Sequence, residues 1–365
     1  MPEPNQQHAE ILVATTWECN LRCRYCFVDR GGAARRQGRM SPALARRVID
    51  ALDQGLTRVE SISVHLYGGE PLLNLPAARA MLGRARRKKP GRFSFAVTTN
   101  GTCRSPAALE LLGAGGFEVV LSVDGPPEVH DRCRRTLRNR PTHADVMRFL
   151  RALRRRTRCR VRGSAVVRSG WSLARASRYL RSLPVDTIKA QAVRGPEGTW
   201  GLLSPCERDA YGRDLEAVGR RVVRDLEAGK VPQDDRFSSR VLQLLAGARR
   251  TAFCGAGETA FGIHPNGDVS PCVLMSAEEC RLGHVEEDPR VWVEAGARWK
   301  RSQRRRPECR ECSALDLCGG GCPAILPICG RDECELCRKN CDVARAIFDR
   351  FHSRPEVLLL LAGIT

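Results

Sequence analysis

The sequence contains few aromatic residues and no long hydrophobic segment. Phe, Trp and Tyr make up 5% of its 365 residues. The apolar run at residues 357–362 is far too short to span a bilayer. Residues 1–7 lack the apolar core of a secretory signal. These absences argue against a membrane partner, and we expect a cytoplasmic protein.

Lysine is also scarce, although the chain is strongly basic. Only six of its 61 basic residues are lysine, and the formal net charge is +20. Basic runs such as 84–89 and 301–306 lack the interleaved aromatic residues of a surface that binds single-stranded nucleic acid. We therefore expect solvated helix faces and no nucleic-acid partner. Attraction of an acidic substrate segment is the alternative interpretation of this charge.

Cysteine, by contrast, is abundant and unevenly distributed. Eighteen cysteines in a cytoplasmic chain indicate metal binding rather than disulfides. The first group, Cys19, Cys23 and Cys26, has the spacing C-x3-C-x2-C and directly follows an apolar run at 11–14. Three thiolates can hold three irons of a cubane cluster and leave one iron open, whereas a structural zinc ion would need a fourth ligand nearby.

The first half of the chain alternates apolar runs with helical segments, which is typical of β/α units around a parallel sheet. The predicted strands are 11–16, 62–67, 93–98, 119–123, 160–167 and 187–193. Six such units predict an α/β fold, a partial (β/α)6 barrel of the TIM type. In a parallel barrel the reacting groups lie at the carboxyl ends of the strands.

Conspicuous glycine and polar motifs follow three of these strands. Strand two ends in Gly68-Gly69-Glu70-Pro71, where the absent side chains permit a close backbone approach. The segments 98–101 and 122–126 follow strands three and four, and His130-Asp131-Arg132 comes next. Each motif alone is also compatible with an ordinary turn or helix cap.

A second group of cysteines occupies the last third of the chain. It begins with Cys254 and Cys272, spaced C-x12-G-x4-C, and continues with C-x2-C-x5-C-x3-C. That second run consists of Cys309, Cys312, Cys318 and Cys322, and four further cysteines follow at 329, 334, 337 and 341. A zinc ribbon would not require so many thiols.

Together these motifs resemble the radical S-adenosylmethionine (SAM) superfamily, whose loop usually carries an aromatic residue before its last cysteine, as at Tyr25. The resemblance implies a 4Fe-4S cluster on the catalytic residues Cys19, Cys23 and Cys26, with an open iron that chelates SAM. One electron would then cleave SAM to a 5′-deoxyadenosyl radical that abstracts a substrate hydrogen. An electron donor such as flavodoxin or ferredoxin is an implied partner.

The same resemblance implies contacts to SAM. Gly68, Gly69 and Glu70 match the motif that contacts the SAM amino group, and Ser122 matches a serine that contacts the ribose. A following arginine would bind the carboxylate, with Arg132, Arg134 and Arg135 as candidates. The remaining predicted cofactor-binding residues are Tyr25, Asn100 and Asp124, with Arg134 taken as the arginine.

The C-terminal cysteines resemble the SPASM domain, which binds up to two auxiliary 4Fe-4S clusters. By motif position, the first auxiliary cluster would take Cys254, Cys272 and Cys322. The second would take Cys309, Cys312, Cys318 and a late cysteine, with Cys334 closest to the family ending and Cys341 as its competitor. No clear fourth ligand exists for the first cluster, so one iron is open or Cys280 completes it.

The resemblance implies a partial-barrel core over 10–235, a SPASM domain over 236–348 and a tail over 349–365. Most relatives with these motifs modify peptides, so we expect a maturase that installs a thioether or carbon–carbon cross-link in a ribosomally made precursor peptide. Sulfatase maturases carry an aspartate where this chain has Val273. An enzyme of a cofactor or haem pathway is the other enzymatic alternative, and an iron–sulfur carrier is the non-enzymatic one.

Overall fold

The computed structural model describes residues 8–26, 38–103, 105–275 and 277–363. Within these residues the chain forms two compact units. The first contains the residues up to Ser122 together with 130–161 and 255–303, and the second contains 123–129, 162–254 and 304–363. Each unit is compact but is assembled from several separate segments of the chain. The domain boundaries at 235 and 348 therefore stay a prediction.

The strands and helices occur in the following order along the chain. The strands are β1 (His8–Thr16), β2 (Ser61–Gly68), β3 (Phe93–Thr99), β4 (Glu118–Ser122), β5 (Val161–Val167), β6 (Thr187–Ala192), β7 (Ala260–Ile263), β8 (Asp268–Ser270) and β9 (Gly283–His284). The helices are α1 (Pro42–Gly55), α2 (Leu75–Ala85), α3 (Pro106–Gly115), α4 (Pro127–His130), α5 (His143–Arg156), α6 (Leu173–Arg181), α7 (Pro205–Glu227), α8 (Ser238–Leu245), α9 (Ala277–Cys280), α10 (Pro289–Ser302), α11 (Leu315–Cys318), α12 (Leu326–Phe351) and α13 (Pro355–Leu359). Short 3₁₀ turns cover Pro71–Leu73, Pro307–Cys309 and Leu360–Ala362.

The first unit is built on a sheet in the order β4-β3-β2-β1-β7-β8-β9. Strands β1 to β4 are parallel neighbours, and β7 extends the parallel set beyond β1. Strands β8 and β9 are antiparallel. The parallel strands are apolar because helices cover such sheets, and Ile11, Val13 and Val64 are completely buried.

The second unit contains the parallel pair β5 and β6, joined through α6. All six predicted core strands are therefore confirmed, with ends that differ by a few residues. The predicted helix start at Ser41 is confirmed as well, because its side chain accepts a hydrogen bond from the Leu44 N–H at 3.1 Å. Across the described residues, no helix combines the length and apolar character needed to cross a bilayer.

Candidate active site and cysteine clusters

The first cysteine group lies in the segment that follows β1, at the carboxyl end of the parallel strands. Cys19, Cys23 and Cys26 are each half-buried. All three line one cavity of about 520 Å³. The other described residues that line it are Trp17, Glu18, Leu21, Arg22, Gly38, Gly69 and Leu137. The structure therefore brings the three predicted catalytic cysteines to a single cavity of the size that small-molecule sites usually have.

This cysteine segment is held by a short antiparallel ladder with residues 133–137. The Arg22 N–H donates to the carbonyl of Arg135 at 2.8 Å, and the Arg24 N–H donates to the carbonyl of Cys133 at 3.0 Å. Leu21 pairs with Thr136 between these bonds. The ladder was not predicted, because the sequence of either segment alone carries no alternating strand pattern.

The Gly-Gly turn permits two backbone segments to touch. The Gly69 N–H donates to the carbonyl of Thr16 at 3.0 Å, and the Glu70 N–H donates to that of Glu18 at 2.8 Å. A Cβ atom on Gly69 would lie 2.2 Å from the Glu18 carbonyl oxygen. Gly68 has a φ of +116°, a conformation that favours glycine. The glycines therefore support the cysteine segment directly, and Gly69 also lines the cavity.

Glu70 is 1% exposed, and its carboxylate connects this turn to the end of β3. It accepts hydrogen bonds from the Leu72 N–H at 3.1 Å, the Thr99 hydroxyl at 2.8 Å and the Asn100 N–H at 2.7 Å. Burial raises the pKa of Glu70 to about 7, against the opposite effect of these donors. Glu70 is thus a positioning residue for the loops around the cavity.

Asn100 connects the end of β3 to the first cysteine. Its side-chain amide nitrogen lies 3.8 Å from Cys19 Sγ and 2.9 Å from Asn20 Oδ1. The Leu21 N–H, 3.4 Å from Cys19 Sγ, is a second donor. Burial raises the pKa of Cys19 to about 11. The two donors would stabilise the thiolate form of Cys19, which is the form that ligates iron, and a bound iron would stabilise it further.

The predicted SAM contacts fall in different surroundings. The Arg134 guanidinium lies 5.4 Å from the ring centroid of Tyr25, on the cysteine segment. Arg132 is exposed, and Arg135 donates to carbonyl oxygens of its own loop. Among the described contacts of the three candidate arginines, that of Arg134 with Tyr25 reaches a side chain of the cysteine segment. Its role toward SAM stays a prediction.

Two other predicted SAM contacts lie at the carboxyl end of β4 and just after it. Ser122 ends that strand and is buried in the first unit. Asp124 belongs to the second unit, where its carboxylate accepts a hydrogen bond from the Val166 N–H at 3.1 Å. Their roles toward SAM also stay predictions.

A second, smaller cavity of about 40 Å³ lies in the second unit, and six of its lining residues are cysteines. These are Cys309, Cys312, Cys318, Cys322, Cys334 and Cys337. Cys318 Sγ and Cys337 Sγ are 3.3 Å apart. Cys341 is fully buried and packs with Ala314 and Leu317. Thiolates converging on one small space fit an iron–sulfur cluster.

The structure adds Cys337 to the candidates for the late ligand, for which the sequence indicates Cys334 and Cys341. Residues 334, 337 and 341 share one face of α12, because they are three and four positions apart, and this spacing was the available signal. Arg240 lies 3.8 Å from Cys337 Sγ. Hydrogen bonds that the Cys337 sulfur accepts from Cys318 and Cys341, together with the Arg240 cation, lower the pKa of Cys337.

The proposed ligands of the first auxiliary cluster are divided between the units. Cys272 lies in the first unit, where its carbonyl accepts a hydrogen bond from the Ser270 hydroxyl at 3.0 Å. Cys254 and Cys322 lie in the second. Cys280 ends α9, and burial raises its pKa. The composition of this ligand set stays a prediction.

Comparison with known protein families agrees with this arrangement. Residues 14–192 match the model of the radical SAM superfamily, and residues 254–313 match that of SPASM, an iron-sulfur cluster-binding domain. The chain thus contains a radical SAM domain and a SPASM domain. It is an enzyme whose cofactors are 4Fe-4S clusters and SAM, as the motifs indicated.

Known relatives share most of the chain's length. The serine-type anaerobic sulfatase-maturating enzyme of Klebsiella aerogenes is 25% identical over 86% of this chain and 79% of its own. The mycofactocin maturase MftC of Mycobacterium ulcerans (strain Agy99) is 28% identical over 88% of this chain and 87% of its own. The solved structure of native anSMEcpe with bound AdoMet and Cp18Cys peptide is 20% identical, covers 98% of this chain and 100% of that one, and superposes with a TM-score of 0.75. The structural likeness shows the fold.

Proposed function

We propose that this protein modifies a ribosomally made precursor peptide by radical SAM chemistry and installs a thioether or carbon–carbon cross-link. The observation that supports this most is that the chain aligns with named maturases over 86% and 88% of its length. An electron donor such as flavodoxin or ferredoxin completes the proposal. The enzyme class and its cofactors are shared with the matched domain families, whereas the residues that hold the cofactors, the peptide and the bond are proposed.

In this proposal the cofactors bind in the 520 Å³ cavity. Cys19, Cys23 and Cys26 would hold the catalytic cluster, and the side-chain amide of Asn100 and the backbone N–H of Leu21 donate toward Cys19 Sγ. When bound, the cluster and SAM supply reductive SAM cleavage and hydrogen abstraction. Gly69 keeps the cavity wall free of a side chain at its closest approach to the cysteine segment.

A sulfatase-maturase activity is the second candidate, because one of the named relatives has that function. The chain departs from that pattern at Val273, where sulfatase maturases carry an aspartate. Val273 is buried and packs with Ala14 and Trp17 in an apolar cluster. It offers no atom that can accept a proton. This departure favours the cross-linking reaction over sulfatase maturation.

The test uses the anaerobically reconstituted enzyme, SAM, dithionite and short peptides encoded near its gene. Release of 5′-deoxyadenosine and loss of two hydrogens from a peptide, located by tandem mass spectrometry, are the expected results. A variant with alanine at Cys19, Cys23 and Cys26 should release none while it keeps the auxiliary clusters. Conversion of a sulfatase-derived peptide, or of a tetrapyrrole, with no change in any precursor peptide would contradict the proposal.

A further inference from the structure

The wall of the catalytic cavity is built from two segments that are unusually rich in arginine. Segments 19–26 and 130–141 contain seven arginines and a single acidic residue, Asp131. The arginines are Arg22, Arg24, Arg132, Arg134, Arg135, Arg138 and Arg140. We call the four that are exposed and bear no ion pair within the described part of the chain, namely Arg22, Arg132, Arg138 and Arg140, the rim arginines.

The backbone places these two segments side by side at the cavity. The Leu137 N–H donates to the Asn20 carbonyl at 3.3 Å, which extends the ladder toward the tip of the second segment. A tight turn follows, closed by the Thr136 N–H to the Arg140 carbonyl at 3.0 Å. Arg138 and Arg140 therefore lie on a turn that begins beside the cavity.

Among the described residues, the nearby acidic groups have partners other than the rim arginines. Asp131 Oδ1 accepts hydrogen bonds from the N–H groups of Thr142 and His143, at 2.8 and 2.9 Å, and so caps the start of α5. Glu18, the acidic residue among those lining the cavity, pairs with Arg39 at 2.6 Å. Within the described part of the structure no acidic side chain pairs with the rim arginines, so they can bind an anionic ligand that approaches the cavity.

The rim also has an apolar component. Leu137 is 59% exposed and lines the cavity together with Arg22. An exposed leucine between guanidinium groups fits a peptide that alternates carboxylates with apolar side chains. A nucleic-acid strand would instead require aromatic platforms for its bases. Neither of these two segments contains an aromatic residue other than Tyr25 and His130, and His130 is fully buried.

From these observations we propose that the rim arginines and Leu137 bind an acidic stretch of the peptide substrate and hold it at the cavity mouth. This inference rests on the proposed function and adds the chemical class of the substrate. The carboxylates would pair with the guanidinium groups, and the residue to be modified would enter beside the cysteine segment. Such binding is electrostatic and weakens as salt rises.

The test measures fluorescence anisotropy of two labelled peptides on the cluster-loaded, SAM-bound enzyme. One peptide is a 12-residue sequence rich in Asp, Glu and Leu, and the other replaces each Asp by Asn and each Glu by Gln. The variant R138E/R140E reverses two rim charges. The control R151E/R155E makes the same change in net charge on an exposed face of α5.

We expect the wild type to prefer the acidic peptide and R138E/R140E to bind it roughly tenfold or more weakly. The control should stay within about twofold of wild type. Equal weakening by both variants, or equal binding of the two peptides, would overturn the inference. So would stronger binding of a single-stranded oligonucleotide through the same arginines, which would identify the rim as a nucleic-acid site. Unchanged absorption spectra of the clusters establish that the variants are folded.

This inference and the proposed function fail in different ways. If a cognate peptide is modified equally well by R138E/R140E and wild type, the acidic-rim inference is wrong while the peptide-modifying function stands. If the acidic peptide binds through the rim but no peptide is ever modified, the rim stands as a binding site and the function is wrong. A KM for the cognate peptide that rises in R138E/R140E, with kcat little changed, is the result expected when both are correct.

Discussion

Replacing Gly69 by alanine tests how the cavity is assembled. The added Cβ would lie 2.2 Å from the Glu18 carbonyl oxygen and 2.5 Å from that of Trp17, distances that real Cβ contacts essentially never show. Both neighbours are backbone atoms, so no side chain can rotate away. The Gly-Gly turn and the cysteine segment must then separate by roughly 1 Å to reach ordinary van der Waals contact.

That separation breaks the two backbone hydrogen bonds between the segments, from Gly69 to Thr16 and from Glu70 to Glu18. Each is worth about 1 kcal/mol, and leaving a buried group unpaired adds to the cost. We expect a loss of about 2–4 kcal/mol in the free energy of unfolding. The shift of Cys19 should also remove the loop cluster, about four irons per chain.

The measurements are iron content, SAM binding by calorimetry and unfolding in urea, all under anaerobic conditions. Gly83→Ala is the matched control, because Gly83 is exposed within α2 and an added Cβ there meets nothing within 4 Å. It should stabilise the protein by about 0.5–1 kcal/mol and keep all iron. Full iron content and unchanged SAM affinity in Gly69→Ala would refute the role assigned to this backbone contact.

Three further predictions concern the second unit. Cys337→Ala should remove about four irons per chain, whereas Cys341→Ala should keep them. Iron assay and electron paramagnetic resonance measure this. The reverse result would make Cys341 the ligand. Asp234→Ala should lower the free energy of unfolding by about 3–5 kcal/mol, because it would leave the buried Arg236 charge unpaired. The Arg236 side chain is 4% exposed and lies 3.1 Å from Asp234. A change below about 1 kcal/mol in urea unfolding would contradict this. Burial raises the pKa of Glu207, but hydrogen bonds at the start of α7 lower it to about 2. Wild type should therefore be more stable than Glu207→Gln above about pH 4.5, and this difference should disappear as the pH falls toward 2. A difference that does not change with pH would show that this carboxylate is not stabilised in the folded state.

Much of the fold was readable from local sequence patterns. Each core strand is a short apolar run, because a strand covered on both faces must be apolar along its length, and helix starts such as Ser41-Pro42 depend on adjacent residues. The candidate catalytic cysteines are equally visible in the sequence, since Cys19, Cys23 and Cys26 lie within eight residues of one another. Ligands that lie close together in the sequence can be recognised from their spacing.

The contacts that assemble the site were decided by the tertiary structure. Residues 133–137 pair with the cysteine segment although more than one hundred residues separate them, and no local pattern records such a pairing. Gly69 was expected to let backbone approach a ligand, but the Glu18 carbonyl also occupies that space. Cys337 reaches the small cavity because of the direction in which α12 presents its face. Short-range spacing therefore indicates which residues are the candidates for the chemistry. Long-range packing determines which backbone groups hold those residues in place. The sequence does not reveal these backbone contacts, because they are hydrogen bonds between main-chain atoms that every residue shares.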